Sequence, residues 1–201
     1  MHPLLLRQPR LRINLSQKPS HGFKVRAKKE LHSWGVWSLV EATVASSEGE
    51  LFERTFVDSP GAVGTVAITA EGQVVLVWQY RAPLDAMNLE IPAGMRDIEG
   101  EDVLLTARRE LAEEAGFIAK KWDYLGVCVS AAGMTNSMVS LYLARDLSTV
   151  ELDRHGPEER EMQISLIALD EAIQMIEDGL ITDAKSVMGL MLAHRRISRG
   201  E

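Results

Sequence analysis

The chain has 201 residues, 46% of them hydrophobic and 25% charged, which suits one soluble domain with an added arm or lobe and rules out wholesale disorder. Acidic residues number 29 and basic residues 22, a formal charge of −7, so the surface repels a phosphate backbone; this argues against a general nucleic-acid binder but leaves room for a small phosphorylated ligand. The single cysteine, Cys128, cannot close an internal disulfide or build a thiolate metal site, and points to a reducing, cytoplasmic location.

Residues 1–22 carry Pro3, Pro9, Pro19 and Gly22 and read as a poorly ordered arm. The run Leu4-Leu5-Leu6, followed by Arg7, is too short for a signal-peptide core or a membrane span, so no membrane partner is expected. Residues 35–44 alternate roughly and predict a strand, 46–50 a turn, and 51–57 the returning strand. Asp58-Ser59-Pro60-Gly61 breaks the pattern. Residues 62–70 and 74–79 are β-branched runs joined by Glu71-Gly72-Gln73, a predicted hairpin. A polar loop over 81–88 leads to a short strand, Leu89-Glu90-Ile91, and then Pro92-Ala93-Gly94. Residues 102–115 form the clearest helix, with Leu104, Ala107, Leu111 and Ala115 within about 80° of arc and Gly116 as the stop. Strands follow over 122–129 and 138–144, the first predicted to bury Cys128, with a loop over 130–136 between them. A charged loop spans 151–161, and 162–168 alternates as a strand. Two amphipathic helices, 170–177 and 183–196, have Asp170 and Asp183 as predicted caps and Gly179 between them. His32, His155 and His194 have no ligating spacing, and no internal repeat is visible. The class is α+β.

The helix from Asp102 carries Glu110, Glu113 and Glu114 on one side, which the wheel sets away from the packed one. Glu110 and Glu114 are one turn apart, and like charges at that spacing destabilise a helix by roughly 0.2–0.5 kcal/mol. No lysine four residues on balances them. The bland reading is a solvated acidic face. The chemical reading is a site for Mg²⁺ or Mn²⁺, which prefer hard oxygen ligands.

Glu101, Arg109, Glu110, Leu111, Glu113, Glu114, Gly116 and Phe117 stand at the spacing of the Nudix box, G-x5-E-x7-R-E-U-x-E-E-x-G-U, and the chain resembles that family. One departure is visible: six residues separate Gly94 from Glu101 instead of five, read as an insertion in the loop. Gln79-Tyr80-Arg81, Leu89-Glu90-Ile91-Pro92-Ala93-Gly94 and Ala132-Gly133-Met134-Thr135 resemble stretches of the ADP-ribose pyrophosphatase subfamily.

The resemblance implies a Nudix α/β/α sandwich over residues 58–201, preceded by an arm and a small antiparallel β lobe over 1–57. It implies hydrolysis of a nucleoside diphosphate linked to another group, with ADP-ribose leading. Alternatives are another sugar nucleotide such as GDP-mannose, or a non-catalytic ligand-binding regulator; the four box carboxylates Glu101, Glu110, Glu113 and Glu114 are all kept. Carried over residue by residue, Glu110, Glu114 and the Ala93 carbonyl would bind Mg²⁺ or Mn²⁺, and Glu113 would join that network. Gly94, Glu101 and Arg109 would be structural, although Arg109 also reads as a surface ion pair. The general base would lie in the 156–161 loop, at Glu158, then Glu159, with Glu161 behind them. Arg81 would clamp phosphate, or else pair with Glu90, itself a substrate-binding candidate with Met134. Trp37 and Phe52, with Trp34 nearby, would stack on adenine; the plain alternative is that they are core residues of the lobe. The lobe is too small to stand alone, so a homodimer with exchanged lobes is expected.

Overall fold

The structure, a computed structural model, describes residues 20–154 and 156–200. Most of the predicted N-terminal arm, and His155, lie outside the described residues. The arm's last residues are not loose: the Phe23 N–H donates to the Ser20 carbonyl at 3.0 Å, and Gly22 takes φ +89° in this turn.

Three strands follow: β1 (Lys24–Trp34), β2 (Trp37–Ala45) and β3 (Leu51–Asp58), in the order β1-β2-β3 and antiparallel throughout. The sequence reading missed β1. Its eleven residues are all exposed and four are basic, so no buried face imposes an alternation.

The second sheet has seven strands. Its path is β10 (Gln163–Ala168), β5 (Gln73–Arg81), β4 (Ala62–Ile68), β9 (Met138–Thr149) and β8 (Phe117–Val129). Only β4 and β9 run parallel. The predicted hairpin of β4 and β5 forms, but the two strands pair only at Ala67↔Val75 and Ile68↔Val74. Beyond that they part. β6 (Ala86–Glu90) pairs with β5, and β7 (Ala93–Met95) pairs with β4. The predicted polar loop is therefore a 3₁₀ turn, Ala82–Leu84, and most of β6. This inserted segment carries Glu90 through Gly94 into the middle of the sheet.

Helices cover both faces. α1 (Val103–Ala115) packs through Leu111 and Ala115 on Ala67, Val75, Val77 and Ala144. α3 (Leu169–Glu177) and α4 (Ala184–Ile197) pack on the other face, where Val66, Leu76, Leu89, Leu141 and Leu190 form the larger cluster. Alternation along β4 and β5 sends Val66 and Leu76 one way and Ala67 and Val75 the other. This is the expected α/β/α sandwich with a small N-terminal β lobe.

α1 starts at Asp102, whose side chain accepts from the Leu104 N–H at 2.9 Å, and ends at Gly116 in the left-handed region at φ +68°. α4 is capped as predicted by Asp183. α3 is not capped by Asp170; Ala168 is the N-cap and makes no side-chain bond, while Asp170 meets His194 at 3.0 Å. β8 and β9 are longer than predicted, because each extends as the other's partner to Phe117↔Thr149. Cys128 lies in β8, partly rather than fully buried. The charged loop contains a short helix, α2 (Gly156–Arg160).

Candidate active site

The acidic face of α1 is not solvated. Glu110 is 9% exposed and Glu114 5%. At 100° per residue Glu114 stands only about 20° from Ala107, so burying the apolar stripe takes Glu114 with it. Both carboxylates face the inserted segment. The Ala93 N–H donates to Glu114 Oε2 at 2.8 Å. Gly94 lies against Glu110 so closely that a Cβ there would sit 1.9 Å from the carboxyl carbon. The glycine is needed for this approach, not for a special φ.

Arg109 gathers the remaining acids. It meets Asp97 at 3.0 Å, Glu101 at 3.4 Å, Glu110 at 2.8 Å and Glu113 at 3.2 Å. Thr106 Oγ1 donates at 2.8 Å to Glu101 Oε2, the oxygen that Arg109 also meets. Burial works against the Arg109 charge, but these carboxylates outweigh it and raise its pKa. The ion pair foreseen for Arg109 is thus a half-buried hub with four partners.

Burial pushes Glu110 up to about 7, with Arg109 opposing and Glu113 adding to the rise. Burial pushes Glu114 up to about 8, against the Ala93 hydrogen bond and with help from the Glu110 charge. Two buried acids side by side, both with raised pKa values, form a hard-oxygen donor set short of positive charge, and this fits a divalent cation. Among the described residues no three acidic, His or Cys side chains stand ready as a cage, and Glu110 pairs with Arg109.

A second buried cluster adjoins the first. Glu90, 2% exposed, accepts from Arg81 Nε at 2.7 Å and Nη2 at 2.6 Å, from Asn88 at 3.1 Å, and from Lys185. Burial would raise the Glu90 pKa, but Arg81 and Lys185 hold it down at about 2. Of the two readings of Arg81, the ion pair is the one present in this structure.

The third element is the 156–161 loop. Glu158 and Glu161 are exposed and Glu159 is half-buried. The Glu159 charge is felt at Glu110, and that of Glu158 at Tyr80. Arg154 closes the neck of the loop: it donates to the Glu114 carbonyl at 3.0 and 2.8 Å and to the Met162 carbonyl at 2.7 Å.

In the lobe, Trp37 and Phe52 do not meet within one chain. The register Ser38↔Asp58 and Ala45↔Leu51 puts them at opposite ends of the sheet. Trp37 is half-buried 6.4 Å from Trp34, and Phe52 sits edge-on 6.2 Å from Phe23. Met134 is exposed, while its carbonyl accepts from the Val57 N–H at 2.9 Å. That bond ties its loop to the Trp37 end of the lobe.

Sequence reasoning missed Asp97, Thr106, Arg154 and Lys185. Arg154 and Asp97 act across loops and leave no local pattern. Lys185 leaves a signal: a cation in the first turn of a helix opposes the macrodipole and implies a nearby anion.

Helices on both faces of a mixed sheet, with box acids buried against a glycine on an inserted strand, define a class of hydrolase. A family model for the NUDIX domain matches residues 58–188, and the chain belongs to the Nudix hydrolase family. It is 34% identical to an ADP-ribose pyrophosphatase of Bacillus subtilis (strain 168) over 167 residues, 83% of this chain and 90% of that protein. It is 32% identical to an ADP-ribose pyrophosphatase of Mycobacterium tuberculosis over 174 residues, 87% and 84% of the two chains. A methanol dehydrogenase activator of Bacillus methanolicus is 35% identical over 162 residues, 81% and 87%. A crystal structure of an ADP compounds hydrolase superposes with a TM-score of 0.76 at 20% identity, covering 89% of this chain and 95% of that one, which shows a shared fold. Among the described residues no helix is long and apolar enough to cross a membrane.

Proposed function

We propose that the chain hydrolyses ADP-ribose to AMP and ribose 5-phosphate with Mg²⁺, or Mn²⁺ in its place. The observation that carries this is the buried pair Glu110 and Glu114 against Ala93 and Gly94, at the spacing of a diphosphate-hydrolase box. The choice of ADP-ribose leans on two relatives of that name that cover most of this chain.

Glu110, Glu114 and the Ala93 carbonyl would hold the metal, with Glu113 beside them. The metal, when bound, neutralises diphosphate charge and acidifies water. Arg109, with Glu101 behind it, holds the Glu110 and Glu113 carboxylates through one nitrogen, Nη1, at 2.8 and 3.2 Å. Gly94 leaves the space that Glu110 occupies. Arg81 would bind the diphosphate through two parallel donors, which suit phosphate oxygens. The 156–161 loop would supply the base that takes a proton from the attacking water as a P–O bond of the anhydride breaks. Glu158 is the first candidate and Glu159, whose charge is felt at Glu110, the next. Trp37 and Phe52, at opposite ends of one lobe, meet a common adenine only when two subunits contribute, so the site as proposed belongs to a homodimer. Met134 would line its edge.

A panel of nucleoside diphosphate sugars, assayed with Mg²⁺ and with released nucleotide identified, tests the reading. AMP from ADP-ribose as the preferred reaction is expected. Preference for GDP-mannose would overturn the substrate and keep the class, and no turnover of any member would overturn the activity.

A further inference from the structure

Glu90 has two cations, and they differ in kind. Arg81 sits at the end of β5 with its side chain 36% exposed. Lys185 sits in the first turn of α4 with its side chain 13% exposed. The helix macrodipole opposes a cation there, so its anionic partners set its position. One is Glu90; the other is the cap residue Asp183, at 2.9 Å. Asp183 in turn accepts from Ser186 N–H at 3.0 Å and Ser186 O–H at 2.6 Å, and Ser186 Oγ accepts from the Ile91 N–H at 2.9 Å. The start of α4 is thereby laced to the Glu90-Ile91 backbone. Lys185 is the resident counterion, and Arg81 is the one with a path to solvent.

We infer that Lys185 is a positioning residue that frees Arg81 to leave Glu90 for the diphosphate. A buried carboxylate stripped of its sole cation is strongly unfavourable. With Arg81 alone, the Arg81–Glu90 pair would be locked and its donors spent. With Lys185 holding Glu90, the guanidinium can turn to phosphate oxygens and leave a paired charge behind. The inference rests on the diphosphate role proposed for Arg81.

The test is a cycle of Lys185→Met and Arg81→Ala, read as KM and kcat for ADP-ribose with Mg²⁺, with the calorimetric Kd in chelator and the Tm of each variant. Lys185→Met should raise KM roughly ten- to hundred-fold, the loss of a charge-assisted pair of hydrogen bonds, with a smaller change in kcat. In the Arg81→Ala, Glu90→Gln background, which leaves no buried carboxylate unpaired, the same change should leave KM within about two-fold, because the residue it acts through is gone. Adding Glu90→Gln to Lys185→Met should return KM towards wild type, since a neutral amide at that position no longer retains Arg81. Equal rises in both backgrounds, or no rise beside wild-type Arg81, would overturn the inference and leave the Arg81 role standing. A wild-type KM in Arg81→Ala would overturn that role and the inference together. If Lys185→Met fails to fold, the Glu90→Gln, Lys185→Met double variant carries the test: a KM near wild type supports the inference, and one as high as that of Arg81→Ala overturns it.

Discussion

Glu114→Gln should make the protein more stable at high pH while disabling it. Glu114 is 5% exposed, accepts from the Ala93 N–H, and has its pKa raised by burial from 4.5 to about 8. The folded protein thus holds this proton more tightly than the unfolded chain does. The resulting stability is complete below pH about 4.5 and is lost as pH rises through about 8. At about 1.4 kcal/mol per pKa unit, that loss is a few kcal/mol. A glutamine cannot ionise, and its oxygen can still accept from Ala93. Less the cost of housing its amide N–H₂, a gain of about 2–4 kcal/mol should remain at pH 9. Urea unfolding in excess chelator at pH 6 and pH 9 measures it. Wild type should weaken between the two, and Glu114→Gln should weaken less. A residual slope will persist, because Glu110, at about 7, titrates together with its neighbour. In the same variant kcat with Mg²⁺ should fall by on the order of 10²–10⁴ as transition-state charge loses its support. Equal pH slopes in the two proteins would refute the burial argument, and undiminished turnover would refute the metal assignment.

Three further outcomes follow from the geometry. Glu158→Gln or Glu159→Gln should cut kcat by roughly 10²–10⁴ with little change in KM, as removal of a general base does; if both are near wild type in steady-state assays, Glu161 and Glu113 are the next to test. Gly94→Ala should push Glu110 off its seat, and a displacement of that size costs on the order of 10² in kcat with the circular dichroism spectrum unchanged. Trp37→Ala should raise KM on the order of ten-fold, the worth of one stacked base, with kcat less affected; a fall in Tm with no selective rise in KM would make it a core residue instead. Sedimentation at assay concentration belongs with that variant, since a fully active monomer would reject a site shared between subunits.

What was legible in the sequence was what repeats at short range. The cap Asp183, the stop at Gly116 and the spacing of Glu110, Glu113 and Glu114 all lie within a turn or two of helix, and each is where its pattern put it; Asp170, read the same way as a cap, is not one. The environment of the acids was not legible. A wheel shows that carboxylates share a side; it does not show a strand inserted between β4 and β5 that buries them. β1 was invisible because an exposed strand has no alternation to read. Lys185, 95 residues from Glu90, and Arg154, 40 from Glu114, meet their partners only through the sheet.

Charge explains why this arrangement persists although each part of it is costly. Asp97, Glu101, Glu110, Glu113 and Glu114 bring five carboxylates to the α1 face, and Arg109 touches the first four. One guanidinium cannot neutralise four acids, and it does not touch Glu114. Burial, with that excess added, raises the pKa values of Glu110 and Glu114, the two most buried of the five. Next to them the Glu90 cluster is balanced, with Arg81 and Lys185 matched by Glu90 and Asp183. A purely structural core would bring a further cation to the surplus acids. Here the inserted segment instead sets Ala93 and Gly94 against the acids and Glu90 against Arg81 and Lys185. In the site proposed above, a metal would meet the acids and a diphosphate would meet Arg81. An acid surplus buried without a cation is costly, which is the expected signature of a site built for a charged ligand rather than for stability.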